Sequence, residues 1–120
     1  MSIGMDPFTI RRVRQILDGY IQLKVPVYVR DAVRLTYEMQ NDLVILSEHR
    51  PSKTRRGWRG TEIVQFRLEG QQWTVYVRKD GEAWSLVDSI PPAGDFEKQL
   101  EQVELDREGL IWNLDLPGER

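Results

Sequence analysis

Early in the chain, apolar residues recur at Val13, Ile16, Leu17 and Tyr20, the i, i+3, i+4, i+7 spacing of a helix buried on one side. Asp6 is placed as its N-cap, Pro7 as its first helical residue, and Met5 and Ile10 as a hydrophobic staple. Arg11, Arg12 and Arg14 fall mostly off the stripe, and Pro26 with its β-branched neighbours ends the helix. After Asp31 the period changes to two. Val33, Leu35, Tyr37 and Met39 alternate with Arg34, Thr36, Glu38 and Gln40, which predicts a strand with one wet face. Asn41-Asp42 is a turn, Leu43 to Glu48 a second strand, and residues 49–60 a polar loop. Val64, Phe66 and Leu68 alternate with Gln65, Arg67 and Glu69 in a third strand, and Gly70 turns the chain into Trp73 to Arg78. Asp80-Gly81 is the strongest hairpin signal and leads to a fifth strand, Ala83 to Asp88. Pro91-Pro92 stops the sheet, and Gly94 or Asp95 caps a second helix with the stripe Phe96, Leu100 and Val103. Leu110-Ile111-Trp112 is expected to dock before the chain ends.

These elements predict an α+β fold, a five-stranded antiparallel β-meander with an N-terminal and a C-terminal helix in the order α-β-β-β-β-β-α. Short links between successive strands favour an up-and-down sheet with the helices packed on one face. A chain of 120 residues and 14.1 kDa has room for one core. Residues 1–120 are therefore expected to form a single domain, with 1–5 and 113–120 as frayed tails.

Several short segments also occur in a particular order: Pro26 to Arg34 with Arg30-Asp31 ahead of a strand, Glu48-His49-Arg50-Pro51, and Val64-Gln65-Phe66-Arg67. Trp73-Thr74-Val75-Tyr76, the paired prolines and the closing Asp106 to Trp112 continue it. Together they resemble the small bacterial family catalogued as domain of unknown function 3024, over about residues 6–112. The resemblance implies a complete domain. It brings no activity and no catalytic residues with it.

Composition narrows the chemistry. Hydrophobic residues make up 40% and charged residues 30%, the balance of a globular chain. No apolar run approaches the roughly 18 residues of a membrane span, and the N-terminus lacks the layout of a signal peptide. There is no cysteine, which excludes disulfides, thiolate metal sites and cysteine nucleophiles together. A cytoplasmic protein with no membrane contact is expected. Charge is uneven: residues 1–60 carry 11 Lys/Arg against 6 Asp/Glu, whereas residues 61–120 carry 6 against 13. That asymmetry fits either a basic binding face or two complementary faces that meet within the fold or across a dimer.

The sharpest candidate site is the segment from His49 to Gly60. Arg50, Lys53, Arg55, Arg56 and Arg59 are placed there to grip phosphate oxygens, with Trp58 as a stacking platform. A solvated loop with Trp58 folded back on the core would look the same in sequence. A second candidate is a platform of aromatics and arginines on the sheet, drawn from Arg67, Trp73, Tyr76, Arg78 and Trp84. Strand alternation sets Trp73 on the face opposite Tyr76 and Arg78, and tryptophans often bury in cores.

Catalysis has few candidates. His49 is the only histidine, so His-dependent triads and multi-histidine metal sites are nearly excluded, and no metal or cofactor is expected. His49 and Glu48 are neighbours on a strand and face opposite ways. Glu97, Glu101, Glu104, Asp106 and Glu108 read as a solvated helical face, and Gly57 and Gly60 lack the setting of a phosphate loop. The leading expectation is a binding or interaction domain that contacts a nucleic acid or acidic protein through the basic loop. A homodimer would cover the open sheet face and edges. The alternative is a small enzyme or nucleotide binder using carboxylates and arginines in a cleft.

Overall fold

A computed structural model of the chain describes residues 5–54, 56–79 and 81–112. Helix α1 spans Pro7–Lys24, and the Asp6 carboxylate accepts the Thr9 N–H at 2.7 Å, as the capping signals require. Val25 closes it, donating its N–H to the Ile21 carbonyl, and a short 3₁₀ turn follows at Val27–Val29. Met5, placed in sequence within a frayed tail, is 8% exposed and belongs to the core, where a staple residue should sit. Residues 113–120 lie outside the described residues.

The five strands are β1 (Arg34–Gln40), β2 (Leu43–Pro51), β3 (Trp58–Glu69), β4 (Gln72–Val77) and β5 (Ser85–Leu86). They form one sheet in sequence order, each antiparallel to the next. Helix α2 covers Phe96–Leu105; Asp95, not Gly94, is its N-cap and accepts the Glu97 N–H at 3.0 Å. At its other end Asp106 turns left-handed, with φ 44°, and its carboxylate accepts the N–H groups of Leu110, Ile111 and Trp112. Ile111 and Trp112 thereby dock as expected, whereas Leu110 stays half exposed.

Both helices pack on the same side of the sheet. Val13 and Leu17 of α1 and Phe96, Leu100 and Val103 of α2 meet Val44, Leu46, Val64, Phe66, Trp73 and Val75. The Phe96 ring lies 4.8 Å from Phe66 and 5.0 Å from Trp73 in tilted, edge-on contacts, the geometry aromatic quadrupoles favour. Gln99, 1% exposed, donates its amide to the carbonyls of Trp73 and Pro91, so this buried polar group is satisfied.

Two strand boundaries differ from the sequence reading. The polar segment 49–60 is mostly ladder: β2 continues to Pro51 and β3 begins at Trp58, leaving only the turn between them as loop. Hydrophobic alternation ceases there because that part of the hairpin reaches past the helices, so neither face must be apolar. The expected fifth strand, Ala83 to Asp88, shrinks to Ser85–Leu86: the turn in which Glu82 donates its N–H to the Lys79 carbonyl precedes it, and a turn closed by Ile90 N–H on the Val87 carbonyl follows it. Gly81 has φ 81°, while Asp80 of the expected hairpin signal lies outside the described residues.

Candidate functional site

Strands β2 and β3 are the longest in the sheet. Pairing with β1 ends at Arg34–His49 and pairing with β4 ends at Val64–Val77, but the β2–β3 ladder runs on to Pro51–Trp58. A bulge after Leu46 re-aims this extension. The result is an arm closed by Ser52, whose N–H donates to the Gly57 carbonyl at 3.0 Å, with Gly57 at φ 96°. A side chain there would be strained, so glycine sets the turn.

On one side of the arm lies a cleft of about 950 Å³. Arg50, Lys53, Arg56 and Arg59 line it with Trp58, and Ser52, Thr54 and Thr61 add hydroxyls. Among the described residues its single acid is Glu48, 8% exposed, whose two carboxylate oxygens accept Arg50 Nε at 3.1 Å and Nη2 at 3.2 Å. This bidentate fork fixes the Arg50 guanidinium and removes most of the cost of burying Glu48. Lys53 and Arg56 are exposed at the tip.

The opposite face of the sheet is covered by its own side chains. Three guanidinium groups lie over aromatic rings: Arg34 over Trp58 at 3.8 Å, Arg67 over Tyr76 at 3.7 Å, and Arg78 over Trp84 at 4.7 Å. Hydrogen bonds tie the stacks to neighbours, with Arg67 Nε donating to Gln65 and Arg78 Nη2 to Glu62 at 2.7 Å. His49 joins Thr36 Oγ1 at 2.8 Å and lies flat against Gly60, where an added Cβ would approach its ring to 2.7 Å. Trp58 belongs to both surfaces. One side of its indole carries Arg34, and the residue also lines the cleft.

The sequence profile described as "Domain of unknown function (DUF3024)" matches residues 5–113. The chain belongs to the DUF3024 family. Neither a curated protein nor a solved structure matches it significantly.

In this DUF3024 domain, the arm brings Arg50, Lys53, Arg56, Trp58 and Arg59 around one cleft, while Arg55 lies outside the described residues. Of the sheet platform, Arg67, Tyr76, Arg78 and Trp84 share the open face. Trp73 does not. It is 2% exposed on the helix side against Phe96, because the strand pleat separates it from Tyr76 and the core needs a large ring there. Three contributors escaped the sequence reading: Arg34, Glu48 and Glu62. Two were legible in principle, since Glu48 and Arg50 sit two apart on one strand face, as do the partners Thr36 and Arg34 beside His49.

Two acids of α2 have structural partners. Glu97 lies 3.6 Å from Arg12, and Glu104 meets Lys24 at 3.0 Å and accepts the Tyr20 hydroxyl at 2.6 Å. Burial first, and then this carboxylate, push the Tyr20 phenol well above its ordinary value. The charge asymmetry of the chain is thus partly resolved where basic α1 meets acidic α2. Among the described residues, no group of three His, Asp or Glu side chains is placed to hold a metal ion, and no helix is long and apolar enough to cross a membrane.

Proposed function

We propose that this DUF3024 domain is a cytoplasmic binding module whose β2–β3 arm holds a segment of single-stranded nucleic acid. The observation that carries this reading is the convergence of Arg50, Lys53, Arg56 and Arg59 on one cleft, with Trp58 among its lining residues. Arginine forks and a lysine point charge match phosphate oxygens, hydroxyls add further donors, and an aromatic ring accepts an unstacked base. The Glu48 fork holds Arg50 in place before a ligand arrives, which lowers the ordering cost of binding.

The net charge of −2 limits the footprint. Acidic α2 repels a long polyanion, so contact is confined to the arm, at about three phosphates and a salt slope of roughly −2. The carboxylate pairs favour binding over catalysis. Glu48, Glu62 and Glu104 each hold a cation or a hydroxyl in a structural contact.

Fluorescence anisotropy with a labelled single strand of about 12 nucleotides tests the reading. Binding should weaken about 15-fold between about 50 and about 200 mM salt and about tenfold in Lys53→Ala/Arg56→Ala. Both residues are exposed, so the variant keeps its fold. No binding in low salt, or equal binding by the variant, would overturn it.

A further inference from the structure

The two edges of the sheet are finished differently. Along the outer side of β4 the chain returns to close the ladder. There β5 pairs with Tyr76 and Val77, Val87 donates its N–H to the Val75 carbonyl at 2.9 Å, and Trp73 and Ala93 exchange bonds at 2.7 and 3.2 Å. Among the described residues, the backbone of β1 bonds only to β2, and the nearest closing contact is the Met5 N–H on the Asn41 carbonyl, just past the strand. Alternate residues of an antiparallel strand turn their N–H and C=O groups to opposite sides, so β1 presents an outer row of both without a protein partner. Sheet edges are commonly blunted by proline, lysine or a bulge. β1 has no proline or lysine, and its register with β2 is unbroken.

The charges of this edge are Arg34 and Glu38, both exposed and on the open face. Arg34 lies over Trp58 and donates to the Arg30 carbonyl, and neither contact neutralises it. Among the described residues Glu38 has no ion-pair partner. A strand pairing with its own copy across a two-fold axis sets same-face residues opposite each other, so the axis passes through one residue. An axis at Arg34 or Glu38 sets like charges face to face, which is unfavourable. An axis at Leu35 or Tyr37 places both charges opposite neutral residues. At Thr36 the match is complete: Arg34 faces the partner's Glu38 on both sides of the axis, Thr36 faces its own copy, and on the helix side Leu35 faces the partner's Tyr37.

We infer that β1 is the interface of a homodimer, paired antiparallel with β1 of a second copy about an axis at Thr36, so that the two sheets join into one. This differs from a dimer built on the open sheet face, which the stacked arginines already cover. The axis sends the two β2–β3 arms to opposite ends of the joined sheet, and the inference does not depend on what those arms bind.

Sedimentation velocity on the full chain from about 1 to about 500 µM tests it, with hydrogen–deuterium exchange at both ends of that range. The species should shift from 14.1 kDa toward twice that mass as concentration rises, and the amides of Arg34–Glu38 should become slower to exchange. Glu38→Arg sets arginines opposite each other and Thr36→Lys sets two lysines on the axis, so each should weaken association about tenfold. Both side chains are exposed, and circular dichroism should show an intact fold. Thr36→Lys gives up the His49 contact, whereas Glu38→Arg gives up none, so Glu38→Arg decides if Thr36→Lys melts early. A wild-type monomer throughout the range would overturn the inference, as would a dimer indifferent to Glu38→Arg or one whose β1 amides exchange as in the monomer. A monomer that begins to dimerise only after truncation beyond Trp112 would assign the edge to residues 113–120 and overturn it equally.

Discussion

The two faces of the sheet are covered in different ways, although the same strands build both. On the helix side, burial follows apolar alternation: Val44, Leu46, Val64, Phe66 and Val75 are fully buried under α1 and α2. On the other side Ile45, Gln65 and Thr74 are also nearly buried, at 8%, 5% and 8% exposed, with arginines and aromatic rings in place of helices. Burial alone therefore does not distinguish the faces. One is sealed by cooperative packing, the other by long side chains whose charged heads stay near water. The first kind of cover is rigid and expensive to perturb. The second can be rearranged one pair at a time.

The largest test of that contrast is Phe66→Ala. Phe66 is 0% exposed and touches Phe96, so the substitution leaves a cavity and should cost about 3–5 kcal/mol in urea unfolding. On the open face, Arg78→Ala removes a guanidinium that both pairs with Glu62 and lies over Trp84. Its expected cost is about 1–2 kcal/mol, because each contact is partly solvated. If Arg78→Ala destabilises as much as Phe66→Ala, the open face is a second core and the contrast fails.

A smaller effect joins the open face to the arm. Arg34→Ala uncovers one side of the Trp58 ring. It should cost no more than about 1 kcal/mol while making Trp58 fluorescence more accessible to acrylamide. If the arm binds nucleic acid as proposed, the freed ring should not abolish binding, since the phosphate contacts lie with Lys53 and Arg56. Unchanged quenching would show that the Arg34–Trp58 stack does not persist in solution.

How much of this was legible in sequence follows the same division. The helix face was legible because period-two alternation and helical stripes report burial directly, as Val75 and Leu17 show. The Asp6 cap and the meander order were equally readable. The open face was not. Polar positions alternate whether they are bare or stacked, and nothing local in the sequence says that Arg34 lies over Trp58, twenty-four residues on. The arm was misread as a loop because its ladder carries polar residues on both faces, and Trp73 was grouped with the platform although its pleat position sends it to the core. The basic residues of the arm were found by composition, but the Glu48 fork that orders Arg50 required the strand to continue past His49.

The subtlest test concerns a polar contact at the rim of the apolar face. Tyr37 lies on the helix side of β1, and its hydroxyl donates to Asp18 of α1 at 2.9 Å. Burial, and then the neighbouring Asp18 carboxylate, raise its phenol above the ordinary value of 10.0, with Arg14 opposing. The folded state thus holds this proton more tightly than the unfolded chain does. Its contribution is fully present below the unfolded value and is lost as pH rises from there through the folded value. Tyr37→Phe should cost about 0.5–1.5 kcal/mol at neutral pH, through the lost hydrogen bond to a carboxylate. The gap to wild type should then narrow above pH 10.0, as the unfolded wild-type chain gains by ionising and the phenylalanine variant does not. A gap that stays constant through that range would mean that Asp18 does not hold the hydroxyl, leaving packing alone to seal this edge of the helix face.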